Sequence, residues 1–386
     1  MTGKPKQPAS KRVVFLTGEF PPRHGGIGTY VAETARAAAE AGFEVTVGAP
    51  EAELAQAKGA PFTLWPLPVD SGQGWWNRRR LAAHLTRHQD LLSQSTVVLA
   101  EPLPLRAFAE KPSLPAGRLV IVFHGSELRR LTQLAASRAR LQRLLRPETT
   151  VGVVSGYVED LLREAFLDLT CRVVRVPGSI ASALRPRVIP SRQSGVASAE
   201  RPLRILCVGR VHARKGQDLL LAAMAQLDRA RFRLQLVGPS RHPEFRRQLE
   251  SLIRIEGLTN VEWVGPVDDG GLQDAYARAD VLVFPSRESG QSVEGLGLTL
   301  LEAQAWGLPV VAAETGGTGE AFASGVTGLA FDSAAPDAAK QLADRLRQLA
   351  DAPELRRRLG EAGPAWVEAR FSWAANVRAL LEGPTE

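Results

Sequence analysis

Ser286 to Val311 reads SRESGQSVEGLGLTLLEAQAWGLPVV. The stretch follows a β-branched run, DVLVFPS (280 to 286), and passes through Gly290, Gly295 and Gly297. It then opens a helix near Leu298 that stops at Gly307, and leads into a second apolar run, PVVAAE (309 to 314). Strand, glycine loop, helix and strand make one βαβ unit, which implies a parallel sheet covered by helices on both faces.

The same pattern continues outward in both directions. TGLAFD (327 to 332) follows, and LRILCVG (203 to 209), FRLQLVG (232 to 238) and NVEWVG (260 to 265) precede it. An earlier series begins at Arg12: RVVFLT (12 to 17), FEVTVGA (43 to 49), FTLWPL (62 to 67), STVVLA (95 to 100), LVIVFH (119 to 124), TTVGVVS (149 to 155) and RVVRVP (172 to 177). Helix-period stretches such as TYVAETARAAAEAG, with Gly42 as its stop, lie between them. Between the two series, LRPRVIPSRQSGVASAERP (184 to 202) loses the apolar period and is rich in Pro, Ser and Gly, as a linker is.

The expected architecture is therefore α/β, with two Rossmann-like parallel-sheet domains facing across a cleft. A disordered arm is expected at 1 to 10, an N-terminal domain at 11 to 185, the linker at 186 to 202 and a C-terminal domain at 203 to 371. Ligands of open α/β sheets bind beyond the carboxyl ends of the strands, so the chemistry is expected in loops that follow strands.

Composition narrows the classes. Of the 386 residues, 44% are hydrophobic and 23% charged, ordinary for a folded soluble protein. No apolar run reaches the ~20 residues a membrane span needs, and MTGKPKQPASKR does not resemble a signal peptide. Cys171 and Cys207 are the only cysteines, one in each series, which argues against a disulfide framework and fits a cytoplasmic setting. The net charge of +7 is uneven: residues 1 to 190 hold 25 Lys and Arg against 16 Asp and Glu, and the remainder comes to −2. A basic N-terminal half suits an anionic partner or a solvated Arg-rich surface.

Three loops carry candidate chemistry. In the opening stretch, backbone N–H groups freed by Gly290, Gly295 and Gly297, beside the start of a helix, suit a diphosphate. Glu294 and Glu302 would repel phosphate, so they read as acceptors for hydroxyl groups on either side of it, a sugar and a ribose. The structural alternative is a turn cap and a solvated helix residue. The apolar surroundings of Glu302 (Leu298, Leu300, Leu301, Ala303, Ala305 and Trp306) argue instead for a buried carboxylate with a purpose.

The second loop, GRVHARKGQDLLLAA (209 to 223), places Arg210 and Lys215 just before a helix start, with Arg214 a lesser neighbour. Cations there oppose the helix dipole, and an anionic ligand resolves the conflict; a solvated turn is the alternative. The third, TGEFPPRHGGIGTYV (17 to 31), opens a helix through Gly25, Gly26 and Gly28, but its GGxG spacing departs from the dinucleotide-binding GxGxxG. His124, ending the run LVIVFH, stands where it can donate to a hydroxyl, or it is a structural histidine.

Together these marks resemble the retaining glycosyltransferases of the large GT-B family 4, glycosyl transferases group 1, which includes bacterial mannosyl- and glucosyltransferases. The resemblance covers nearly the whole chain: GGIG, HGSE, VGRVHARKG, the E-x7-E pair Glu294 and Glu302, GLPVVAAETGGTGEAFASGVTGLAFD and the late FSW at Phe371 to Trp373. The E-x7-E pair with its glycines is the specific mark.

The resemblance implies that Arg210 and Lys215 hold the donor diphosphate, that Glu294 holds the sugar with help from the backbone N–H groups of Gly295, Leu296, Gly297 and Leu298, and that Glu302 holds the ribose. Val267, in the turn GPVDD, would meet the base, while His124, Gly25 and Gly26 would face sugar and acceptor. It further implies a GT-B fold, transfer of a hexosyl group from a UDP- or GDP-sugar with retention, no bound metal, no cofactor, and a last helix (372 to 386) crossing back onto the first domain. Asp268 and Asp269 are adjacent rather than D-x-D and are not read as metal ligands.

In the basic half, GWWNRRRLAAHL (74 to 85) sets Trp75 and Trp76 beside Arg78, Arg79 and Arg80. LRRLTQLAASRARLQRLLR (128 to 146) interleaves leucines at near-helical spacing with Arg129, Arg130 and further arginines. Such a surface suits an anionic membrane at the inner face, or a phosphate-bearing acceptor; the alternative buries the tryptophans. Two rival functions are a nucleotide-sugar epimerase on the same fold and a noncatalytic basic scaffold. No RNA-binding signature or zinc spacing is present, so nucleic acid is not an expected partner.

Overall fold

The computed structural model describes residues 11–21, 25–54, 57, 59–70, 72, 74–192 and 195–382. The expected arm at 1 to 10, and Pro22, Arg23 and His24 of the loop before the first helix, lie outside the described residues. The chain forms two compact units, Met1–Gly178 with Ser372–Glu386, and Ser179–Phe371.

The sheet of the first unit contains β1 (Arg12–Leu16), β2 (Glu44–Pro50), β3 (Thr63–Leu67), β4 (Thr96–Leu99), β5 (Arg118–Phe123), β6 (Thr150–Val153) and β7 (Arg172–Arg175) in the order β3-β2-β1-β4-β5-β6-β7. Every pairing is parallel. β4 and β6 are buried at every residue, as strands covered on both faces are. Helix Trp373–Val377 and the wide turn Arg378–Glu382 complete this unit. The Arg118 guanidinium of β5 donates to the carbonyls of Leu381 at 2.6 Å and Leu380 at 3.0 Å.

The second unit contains β8 (Leu203–Val208), β9 (Phe232–Val237), β10 (Val261–Gly265), β11 (Val281–Phe284), β12 (Val310–Ala313) and β13 (Gly328–Phe331), ordered β10-β9-β8-β11-β12-β13 and again all parallel. Its core gathers the inward residues of these strands with helices Gln217–Met224 and Ala338–Asp351 around Phe232, Leu220 and Leu346. In both sheets the strand order reverses once, between β1 and β4 and between β8 and β11. Reversal points of this kind are where ligands of open α/β sheets bind.

One expectation changes. The aperiodic segment before β8 belongs to the second unit and is pinned there. The Arg192 guanidinium donates to the carbonyls of Tyr276 (3.0 Å), Ala277 (2.8 Å), Ala279 (2.6 Å) and Trp306, and the Ala197 amide donates to Ala350 at 2.9 Å. Polar anchoring to carbonyl groups leaves no apolar period to read. The basic stretch 128 to 146 forms two short helices, Ser126–Thr132 and Ala135–Gln142, with Leu134 at the break 68% exposed.

Candidate functional site

The loops after β8 and β11 meet at the reversal point of the second sheet. The β8 loop folds into one tight turn, Ala213–Lys215, capped by the His212 ring, whose Nδ1 accepts from the Arg214 amide at 3.0 Å. Gly216 then takes φ +67° and carries the chain so close to β11 that a Cβ would lie 1.9 Å from the Pro285 carbonyl oxygen. Only glycine meets both conditions. The Arg287 amide donates to the Arg214 carbonyl at 2.8 Å, and the Arg287 guanidinium pairs with Asp218 at 2.5 Å, so the two loops are stitched together.

This stitching brings Lys215 and Arg214 onto Glu294. Lys215 Nζ lies 2.8 Å from Glu294 Oε2, the Arg214 guanidinium donates to the same oxygen, and Ser286 Oγ adds a longer contact at 3.4 Å. The three charged side chains are only 12 to 14% exposed. Lys215 also stands over the Phe284 ring, 4.7 Å from its centroid. Burial alone would raise the Glu294 carboxyl, but the charges of Lys215 and Arg214 and their hydrogen bonds override it and hold the group at about 2. Two cations against one carboxylate leave a net positive charge beside the glycine-lined start of helix Leu298–Ala305.

Behind Glu294 stands a loop that sequence reasoning assigned no role. The Gly317 amide donates to the Glu294 carbonyl at 2.9 Å, and a Cβ on Gly316 (φ +57°) would lie 2.4 Å from that oxygen. The doubled glycine of ETGGTGE was the available signal. Arg214, rather than Arg210, is the second cation on Glu294, because the tight turn directs successive residues differently; Arg210 is exposed.

Gly295, Leu296 and Gly297 are buried and Leu298 is half-buried at the first turn of its helix. Glu302, one turn further along, is 7% exposed, and its Oε2 accepts a hydrogen bond of 2.6 Å from the hydroxyl of Tyr276. Burial raises the Glu302 carboxyl above its usual range, and the Tyr276 hydrogen bond opposes the rise. Tyr276 was not anticipated; a lone tyrosine in a helical stretch gives no local signal. Val267 sits half-buried before helix Asp269–Arg278, and Asp268 caps that helix by accepting from the Gly271 amide at 2.8 Å, which accounts for its carboxylate.

In the first unit, His124 follows β5 with its ring 4.9 Å from that of Tyr30, edge to face. The Glu127 carboxylate accepts from the His124 and Gly125 backbone amides and so fixes the turn. His124 Nε2 is buried without a hydrogen-bond partner among the described residues. Burial lowers the pKa of the imidazole, opposed by the Glu127 charge and a hydrogen bond to the Ala100 backbone, and favours the neutral ring. Gly25 precedes helix Gly26–Glu40 against the Glu19 side chain, where a Cβ would collide with Oε1.

On the same unit, Trp75 and Trp76 are 45% and 73% exposed and pack on each other 4.5 Å apart, so they are surface residues rather than core. Arg79 lies over Trp75 at 4.5 Å, Arg80 is exposed, and Arg78 turns to Glu110 at 2.9 Å. Arg129 is half-buried and Arg130 exposed.

Two family descriptions match the chain: Glycosyltransferase Family 4 over residues 24–180 and Glycosyl transferases group 1 over residues 191–366. A GDP-mannose-dependent alpha-(1-6)-phosphatidylinositol monomannoside mannosyltransferase of Mycobacterium tuberculosis is 30% identical, covering 96% of this chain and 98% of the relative. Among solved structures, the sucrose-phosphate synthase of Thermosynechococcus elongatus superposes with a TM-score of 0.75 at 22% identity, covering 95% of this chain and 96% of the other. Anabaena HepE in complex with UDP-glucose superposes with a TM-score of 0.76 at 17% identity, covering 96% and 98%. These likenesses show a GT-B fold.

Proposed function

This chain belongs to the glycosyl transferases group 1 family and transfers a glycosyl group from a nucleotide sugar; from that premise we propose that it is a retaining, metal-independent mannosyltransferase. Its donor in this reading is GDP-mannose, the donor named for the M. tuberculosis relative, and its acceptor is a hydroxyl of a phosphate-bearing, lipid-linked polyol. The observation that carries the reading is the pairing of Arg214 and Lys215 with Glu294 beside the helix start at Gly297.

In this mechanism the surplus positive charge and the backbone N–H groups at Gly295 to Leu298 hold the diphosphate and offset the charge that develops as it departs. Glu294, ionised throughout the working pH range, offers Oε1 to the sugar hydroxyls, Glu302 receives the ribose, and Val267 meets the base. Arg210 stands at the outer edge of the anion site. The bond from the anomeric carbon to the diphosphate breaks, the acceptor oxygen bonds to the same face of that carbon, and its proton passes to the departing phosphate oxygen. No side chain acts as nucleophile, and no cofactor takes part. In the first unit, His124, with Nε2 available, and the Gly25–Gly26 turn serve the sugar and acceptor.

No helix among the described residues is long and apolar enough to cross a membrane. The exposed aromatic and basic surface of Trp75, Trp76, Arg79, Arg80 and Arg130, flanked by Arg78 and Arg129, is placed in this reading at an anionic membrane face.

Incubation with GDP-mannose and a phosphatidylinositol mannoside acceptor in excess EDTA, with mass spectrometry and NMR of the product, tests the proposal. An α-mannosylated product from the α-linked donor, undiminished by EDTA, is expected. A β-linked product, loss of turnover with EDTA, or turnover with UDP-sugars alone overturns the corresponding part, and release of an isomerised GDP-sugar without acceptor favours an epimerase.

A further inference from the structure

Tyr276 is fully buried in helix Asp269–Arg278, and its hydroxyl donates to Glu302 Oε2 at 2.6 Å. Packing alone does not account for a phenol at this place. Its ring stacks on Trp306, with centroids 6.4 Å apart and planes 22° from parallel; phenylalanine would make the same contact without desolvating a hydroxyl.

The surroundings hold that hydroxyl in one place. Arg192 donates to the carbonyls of both Tyr276 and Trp306 and so ties their backbones together, while the Trp306 indole N–H donates to the Leu184 carbonyl at 2.8 Å. Contacts from the segment 184 to 192 thus fix the backbone and the stacking partner of the side chain that holds Glu302 Oε2.

We propose that Tyr276 is a positioning residue for donor binding: by occupying Oε2 of Glu302 it aims Oε1 at the ribose hydroxyls of the nucleotide. The proposal rests on the reading of Glu302 as the ribose partner. It also carries a signature in pH. The groups facing Glu302 are Tyr276 and Asp269, from the helix packed against it, and Lys215, from the loop after β8. Burial raises the carboxyl; the Tyr276 hydrogen bond opposes the rise, Asp269 adds to it and Lys215 opposes it. Without the phenol hydroxyl the carboxylate takes up its proton at higher pH. Binding that needs the ionised form is present above that pKa and is lost as pH falls through it.

The test is Tyr276→Phe, which keeps the stack. Calorimetry from about pH 5 to 9 uses GDP or UDP, whichever binds the wild type more tightly, beside the 2′,3′-dideoxy form of the same nucleotide. The wild type is expected to prefer the ribo form. In the variant, the ribo form weakens about tenfold, more at the acid end than at the alkaline end, while affinity for the dideoxy form is unchanged. In turnover assays donor KM rises more than kcat falls.

Equal loss for both nucleotides, or no loss, overturns the role of Tyr276. A wild type that binds both forms equally overturns the ribose reading of Glu302 itself.

Discussion

Glu101 in the first unit and Glu294 in the second are both little-exposed carboxylates that end in opposite states, Glu101 two residues after β4 and Glu294 ten residues after β11. Each follows a strand at the reversal point of its sheet, β4 beside β1 and β11 beside β8. Glu101 is 6% exposed and accepts backbone N–H bonds from Gly18 at 3.1 Å and Leu103 at 2.9 Å. Burial pushes it up to about 7 against those bonds, with Glu19 and Glu127 adding to the rise. Glu294 faces the same cost of burial and is held at about 2 by Lys215 and Arg214. Two full charges outweigh desolvation where two backbone dipoles do not. Glu294 thus keeps its charge at neutral pH, whereas Glu101 titrates near neutrality.

The largest effect tests the charged end of this contrast. Lys215→Ala and Glu294→Ala are each expected to lower transfer by about a thousandfold or more, with circular dichroism showing an intact fold. Measured turnover within tenfold of wild type in either variant would break the assignment of the anion site.

A smaller effect sharpens the other end. The Glu101 pKa is raised on folding, from 4.5 to about 7, so across that window the folded protein keeps a proton that the unfolded chain has lost. The contribution of this group to stability is therefore highest below about pH 4.5, falls as pH rises to about 7, and stays low above. Glu101→Gln removes the dependence and keeps an acceptor for both amides. Relative to wild type, the variant should gain about 2 kcal/mol between pH 5 and pH 8, read from thermal melts at the two pH values. Parallel pH profiles for the two proteins would refute the difference between the carboxylates.

The smallest effect concerns positive charge left at the surface of the first unit. The triple variant Trp76→Ser, Arg79→Ser, Arg80→Ser should lower sedimentation with vesicles containing acidic phospholipid at low salt by roughly tenfold and leave transfer to a water-soluble acceptor unchanged. Binding that ignores acidic lipid, in wild type as in variant, removes the membrane surface from the proposal.

The strands were legible because central parallel strands such as β4 and β6, covered on both faces, read as continuous apolar runs, and each run lies within two residues of the strand it predicts. In the stretch 128 to 146, Leu131 and Leu134 keep a helical spacing across a break between two helices, and that spacing does not show the break that exposes Leu134. Among the candidate residues, Glu294 and Lys215 stand out in the sequence as charge beside glycine after a strand, and Glu302 as a carboxylate among apolar neighbours. Arg214 could not be ranked above Arg210, since the side chain that points inward depends on the turn Ala213–Lys215 and on Gly216.

By itself the amino-acid sequence determined the two βα series, the loops that follow their strands, and the residue types those loops supply, because hydrophobic period and glycine placement are local properties. Only the tertiary structure decided which groups share a partner. Desolvation and Coulomb energy depend on distances between residues far apart in the chain, and so the 2.8 Å contact of Lys215 with Glu294 and the 2.6 Å contact of Tyr276 with Glu302 set charge states that no local pattern records.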